Sequence, residues 1–386
     1  MKKNIIYLDN HSTTPVDSRI ADKVLHYMIN EFGNPSSITH SYSDSALEAI
    51  EISKNYISDL LNCGNSKIIF TSGATESINI AILGFVKYLK NKKDKIKLVI
   101  LPLEHKAVIT TCKKLSKDKE IELYFLKVDK KGCIDLNYLE DLCKNSIDMV
   151  CIMAANNEIG NIYPLKDIGN ITNKYNVKFF CDATQAVGKI NIDFINTKID
   201  ILCFSGHKMY APKGIGGLIL KEDIKLEPIF YGGGQQNGLR PGTLNVSGIV
   251  GLGYACYLRK NEMEEDEKRI EKLRNKMLDN LIENFQDIVI NGDINNKLAG
   301  NISISIPGIL NQDIIKKVRD HIAISTGSAC SSGFENPSHV LTAMNLPDDV
   351  INGTIRIGLG KFNTEEEIDK ATDILVETIK SLKKSL

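Results

Sequence analysis

The sequence predicts an α/β protein built on a mostly parallel sheet with helices on both faces. Two observations carry this. Short β-branched, apolar runs alternate with amphipathic stretches through the first two thirds of the chain, and apolar strands joined by helical crossovers make parallel sheets buried on both sides. At 386 residues the chain also exceeds one small domain.

The expected strands are residues 67–71, 98–101, 123–128, 149–153, 177–181, 199–204 and 217–220, a set of seven. Between them, helices are expected near 76–90, 105–117, 136–144 and 165–175. Beyond them a charged helix spans 263–285, with Ile270, Leu273, Met277, Leu281 and Phe285 on one face. A domain hinge falls along it. A strand at 301–305, a helix near 312–321 and a closing helix from Thr364 to residue 384 follow. Thr364 ahead of Glu365, Glu366 and Glu367 is a helix-start signal. The expected division is a large domain over 15–258 and a smaller α+β domain formed by 1–14 with 259–386.

Composition narrows the function classes. Hydrophobic residues make up 42% and charged residues 25%, an ordinary globular balance. Forty-eight Lys and Arg offset forty-eight Asp and Glu, so there is no overall basic field to hold nucleic acid. No run approaches membrane-spanning length and no apolar leader is evident, so a cytoplasmic protein is expected. Nine cysteines, with no CxxC pair, argue against a disulfide framework or a zinc site and for a reducing interior. Cys151, Cys181 and Cys203 lie in apolar runs and read as small hydrophobes, while Cys63, beside Asn62 and Gly64, could be exposed.

In a parallel sheet, ligands bind beyond the carboxyl ends of the strands. Three segments there carry chemistry. Thr71-Ser72-Gly73-Ala74-Thr75-Glu76 turns through glycine into a helix, whose unpaired N–H groups can hold a phosphate. Asp182, in Cys181-Asp182-Ala183-Thr184-Gln185, closes a buried strand; it is either a cap or the partner of a buried cation. Lys208, in Ser205-Gly206-His207-Lys208, follows another strand with phosphate-capable neighbours, as suits a Schiff-base amine.

Asp182 through Gln185 followed by Ser205 through Lys208 resembles the cofactor site of the fold type I, aminotransferase-like pyridoxal-phosphate (PLP) enzymes. More narrowly, the chain resembles the cysteine desulfurases of the class V aminotransferase family. The ordered motifs Leu8-Asp9-Asn10 to Pro15, Gly33-Asn34-Pro35-Ser36-Ser37, Gly73 to Ser77, Asn156 to Gly160, Gly232-Gly233-Gly234, Arg240-Pro241-Gly242-Thr243 and Ser325 to Cys330 extend that likeness over nearly the whole chain. The resemblance implies a large domain with a mostly parallel seven-stranded sheet. It also implies pyridoxal 5'-phosphate held by Ala74, Thr75, Ser205 and His207 on the phosphate, and His105 stacked on the ring. Asn157 and Gln185 would lie near the ring hydroxyl, Asp182 on the ring nitrogen and Lys208 on the aldehyde. Thr243 would reach the phosphate of the other subunit of a homodimer. Arg356 would clamp the substrate carboxylate, with Asn157 beside it; read alone, Arg356 could equally form a structural salt bridge.

Cys330 stands in a small, polar, glycine-punctuated stretch, Gly327 to Gly333, whose pattern resembles the group with a long cysteine loop. The implied reaction converts L-cysteine to L-alanine, with Lys208 as base, His105 as proton donor and Cys330 receiving sulfur as a persulfide. Protein acceptors would serve iron–sulfur cluster assembly, tRNA thiolation or DNA phosphorothioation. Rival readings are another PLP reaction on this fold or a scaffold without catalysis. Ile38 and Ser43 replace a basic residue and a glycine frequent in the family.

Overall fold

The computed structural model describes residues 5–326 and 337–384. In chain order it opens with β1 (Ile6–Tyr7), α1 (Ser18–Ile29), α2 (Tyr42–Leu61), β2 (Lys67–Thr71), α3 (Ala74–Lys90), β3 (Lys97–Ile100), α4 (Lys106–Lys117) and β4 (Glu122–Phe125). Then come α5 (Leu136–Cys143), β5 (Met149–Cys151), α6 (Leu165–Lys174), β6 (Lys178–Asp182), β7 (Ile201–Ser205), β8 (Gly216–Leu220) and α7 (Val246–Asn284). The remainder is β9 (Val289–Ile290), β10 (Asn301–Ser305), α8 (Asn311–Val318), β11 (Ile322–Ala323), α9 (His339–Ala343), α10 (Asp348–Asn352), β12 (Thr354–Gly358) and α11 (Glu365–Lys383).

Seven strands form one sheet in the order β2-β8-β7-β6-β5-β3-β4. All are parallel except β8, which runs against both its neighbours. Successive side chains point to opposite faces, and here both faces are dry. Ile69, Ile100, Cys151, Phe180, Ile201 and Leu218 pack toward α3 and α4, while Phe70, Val99, Val150, Phe179, Leu202 and Ile219 face α2 and the start of α7. Both neighbours of every central strand are apolar, which is why the runs lack a two-residue alternation in sequence. The fold class is therefore α/β with a mostly parallel seven-stranded sheet, as the patterning predicts.

A separate core joins Ile302 and Ile304 of β10, Ile355 and Ile357 of β12, Ile270, Met277 and Leu281 of α7, and Leu375 and Ile379 of α11. Its sheet is antiparallel, in the order β12-β10-β9. Thr364 and Glu367 make a reciprocal capping box at the start of α11.

Two sequence expectations need correction. The charged helix begins at Val246, not at 263, and α7 runs 39 residues through both cores. Its first turns carry Gly248, Gly251 and Gly253, weak helix formers that conceal it in sequence. The glycines admit close neighbours: a Cβ at Gly253 would stand 2.5 Å from Ser53 of α2. Cys63 is buried, because Asn62 caps α2 in the left-handed conformation (φ 47°) and turns the chain inward. The other cysteines expected in apolar runs, Cys151, Cys181 and Cys203, are all buried. Helices α1 and α2 have no counterpart among the sequence expectations.

Candidate active site

Strands β2, β6 and β7 end on the same edge of the sheet. Thr71 and Ser205 both stand opposite Gly216 of β8, and Asp182 pairs in register with Cys203 of β7. This register sets the start of α3 beside the turn that carries Lys208. The approach is tight, since a Cβ on Gly216 would come 2.7 Å from the Cα of Gly73. Gly73 itself adopts φ 150°, a conformation that side chains disfavour, to aim the first N–H groups of α3 outward.

Beyond this edge lies a cavity of about 490 Å³. Ala74, Thr75, His105, Asn157, Asp182, Gln185, Ser205, His207, Lys208 and Arg356 all line it, from six different segments of the chain. Thr243 lies outside it and is exposed. Its segment is nonetheless tied to the start of α3, because Arg240 bonds Glu76 at 2.8 Å and Glu76 accepts from the Ser72 N–H at 2.5 Å. Cys330 lies outside the described residues.

Asp182 is buried, and among the described residues no Lys, Arg or His forms an ion pair with it. One oxygen caps the next turn by accepting from the Thr184 N–H at 2.9 Å. A buried carboxylate that lines a cavity without a cation fits a ligand bearing a protonated ring nitrogen. The Thr184 hydroxyl, on the same wall, is also buried without a partner.

Lys208 Nζ donates to the carbonyls of His11 at 2.7 Å and Ser12 at 2.5 Å. His207 bonds Thr13 Oγ1 at 3.1 Å. Burial, with Lys208 and Lys213 nearby, pushes its pKa down to about 4, so the ring is neutral at pH 7. His105 caps α4, its Nδ1 accepting from the Ala107 N–H at 3.1 Å. In the neutral ring the proton is therefore on Nε2.

Arg356 is nearly wholly buried, and both readings of it meet in one geometry. Its guanidinium bridges Asp9 at 2.8 Å, Ser12 Oγ at 2.7 Å and the Asn157 carbonyl at 2.8 Å while lining the cavity. Three further residues lack an assignment from sequence. Glu104 is buried and accepts from the Met153 N–H at 2.5 Å, and burial, with Asp182 nearby, pushes its pKa well up. His11 is buried, and its Nε2 has no hydrogen-bond partner among the described residues. Lys189 bonds Gln185 at 3.0 Å. None of the three is announced by a local pattern in the sequence.

The donors match the parts of PLP: a helix start with hydroxyls for phosphate, an acid for the ring nitrogen and an amine for the aldehyde. Fold and site define an aminotransferase-like enzyme of fold type I. The family model for aminotransferase class V matches residues 6–371. The cysteine desulfurase IscS of Shewanella oneidensis is 41% identical over 382 residues, covering 98% of this chain and 93% of its own. A solved NifS-like protein is 34% identical with a TM-score of 0.91, covering 98% and 100% of the two chains. SspA, solved in complex with cysteine, is 31% identical with a TM-score of 0.80, covering 93% and 99%. The chain belongs to the class V aminotransferase family and, within it, to the cysteine desulfurases, a PLP-dependent group.

Proposed function

We propose that the chain converts L-cysteine to L-alanine with PLP and takes the sulfur as a persulfide on Cys330. The observation that carries the cofactor reading is Asp182, a buried carboxylate without a cation among the described residues, facing one cavity with Lys208. Ala74, Thr75, Ser205 and His207 would hold the phosphate, His105 would cover the ring, and Gln185 and Asn157 would border its hydroxyl. Lys208 would hold the aldehyde and would serve as the base that takes the α-proton. When bound, PLP supplies the electron sink that makes this proton removable.

Arg356 receives the substrate carboxylate, its fork already oriented by Asp9 and Ser12. His105 presents an Nε2–H and acts as proton donor during C–S cleavage. The Cys330 thiolate attacks the substrate sulfur. The S–S bond forms as the C–S bond breaks, sulfur stays on Cys330, and the carbon fragment takes up protons to leave as alanine.

Residues 15–258 form the cofactor domain in this reading, and 1–14 with 259–386 the smaller one. The protein works as a cytoplasmic homodimer in which Thr243 serves the neighbouring phosphate. Leu25, Met28, Phe32 and Ile38 support this, being 55%, 62%, 65% and 97% exposed in the single chain. The persulfide passes to acceptor proteins for iron–sulfur cluster assembly, tRNA thiolation or DNA phosphorothioation. Among the described residues no helix is long and apolar enough to cross a membrane, and no cluster of three or more His, Cys, Asp or Glu is placed to hold a metal.

The test is Cys330→Ala, assayed for cofactor absorbance, alanine and sulfide. Retained absorbance with lost sulfide release supports the assignment. Full sulfide release by the variant would sink it.

A further inference from the structure

The second lysine of the site region, Lys189, has no part in the chemistry just described, yet it joins the same polar network. Gln185 and Lys189 lie four residues apart in the turns that follow β6, and Gly188 between them brings the two side chains together. Lys189 Nζ donates to Gln185 Oε1 at 3.0 Å. His11 Nδ1 stands 3.2 Å from the same oxygen, and Gln185 Nε2 donates to the His11 carbonyl at 2.9 Å. That carbonyl is also the acceptor of Lys208, at 2.7 Å. The two lysines are thus linked through one glutamine and one backbone carbonyl.

An ammonium group can only donate and a carbonyl can only accept. The Gln185 atom facing Lys189 must be oxygen, and the atom facing the His11 carbonyl must be nitrogen. The amide is held in one orientation from both ends. One N–H of Gln185 remains for a group in the cavity that Gln185 lines. A cation on the amide oxygen polarises the amide and strengthens that remaining donor. The turn itself is fixed, since Arg259 of α7 donates to the Gly188 carbonyl at 2.8 Å. Gly188 adopts φ 76°, and a Cβ there would come 3.0 Å from Arg259 Cγ.

We propose that Lys189 is a positioning residue: acting through Gln185, it presents a polarised N–H to the ring-hydroxyl side of the bound cofactor. This rests on the PLP reading above. The ionisable groups acting on Lys189 are Glu267 and Arg259 of α7, with Lys208, Arg356 and His11. Burial is the largest influence on Lys189 and pushes its pKa down, while Glu267 opposes this. The cation therefore weakens within the neutral range, where an enzyme could feel its loss.

The experiment compares full-length wild type with Lys189→Met, Lys189→Arg, Gln185→Leu and the double variant Lys189→Met with Gln185→Leu. Each apo-protein is titrated with PLP, and the absorbance of each loaded protein is followed against pH. Lys189→Met should bind PLP about tenfold more weakly, about 1.4 kcal/mol. It should also raise the pH midpoint of the absorbance change, since a cation and a donor that favour the cofactor's deprotonated form are lost. Lys189→Arg should restore both to near wild type. In the Gln185→Leu background, Lys189→Met should add little, because the two act as one unit. Unchanged affinity and midpoint in Lys189→Met would overturn the proposal, as would a lowered melting temperature with an unmoved midpoint. Failure of the wild type to bind PLP would overturn the cofactor reading and this inference together; wild-type binding with an indifferent Lys189→Met overturns this inference alone.

Discussion

On the cofactor wall of the cavity, Ala74, Asp182, Ser205 and Lys208 each stand at or within three residues of the strand end that delivers them. The wall proposed to receive the substrate is assembled differently. There Arg356 of β12 meets Asp9 and Ser12 across separations of 347 and 344 residues; outside the cavity, Lys361 likewise meets Asp17 across 344. The first wall is made by strand–turn–helix units that each carry their own geometry. The second exists only when the chain's beginning and end are brought together, so its integrity depends on the packing of the whole molecule. Removing a functional side chain from the first wall should remove chemistry and leave the fold; damage to the second should affect both.

The largest expected effect is on the cofactor wall. Lys208→Ala should lower kcat/KM more than about a thousandfold, since in the proposed mechanism it removes both the covalent anchor and the base. Its melting temperature without cofactor should stay near wild type. On the substrate wall, Arg356→Lys should reduce kcat/KM about ten- to a hundredfold, because an ammonium cannot reproduce the fork shared among carboxylates, Ser12 and Asn157. Here apo-protein stability should fall as well, as Asp9 loses a partner. A stable Arg356→Lys with normal kinetics would erase the contrast between the walls.

Asp17 sharpens the same point through stability alone. It caps α1, and Arg19 and Lys361 hold its carboxyl below the usual carboxylate range. The folded-state pKa lies below the unfolded value near 4, so the stabilisation is present above about pH 4 and is lost as pH falls below it. Asp17→Asn should cost about 3 kcal/mol at pH 7 by denaturant titration, and less at pH 3. Gly73→Ala, back on the cofactor wall, should cost about 1–3 kcal/mol through the strain at φ 150°. It should also weaken PLP binding, measured by titrating apo-protein. The smallest effect is expected at Thr364→Ala, about 1 kcal/mol from a broken capping box far from the site.

The same contrast explains what could be read in advance. The cofactor wall was legible because strand ends, glycine turns and their chemistry lie within single short segments. Asp182 and Lys208 follow from such reasoning, and the family resemblance supplied the roles of His105, Gln185 and Arg356. Arg356's partners were not legible, since no local pattern announces a contact between Asp9 and β12. The start of α7 was hidden by glycines whose purpose is packing against α2, a tertiary reason that overrides propensity. The one antiparallel strand of the seven-stranded sheet, β8, has the same apolar composition as its neighbours, and composition carries no strand direction. The link between Lys189 and Gln185 was not legible, since the turn that joins them passes through Gly188 in the left-handed region.

Two lysines linked through Gln185 and the His11 carbonyl make one measurement especially direct. Purified protein loaded with PLP is reduced with borohydride, digested, and mapped for the pyridoxyl-modified peptide. The modification should fall on Lys208 alone and disappear in Lys208→Ala. A modified Lys189, or an unmodified chain that still desulfurates cysteine, would contradict the assignment of Lys208 as the residue that holds the cofactor.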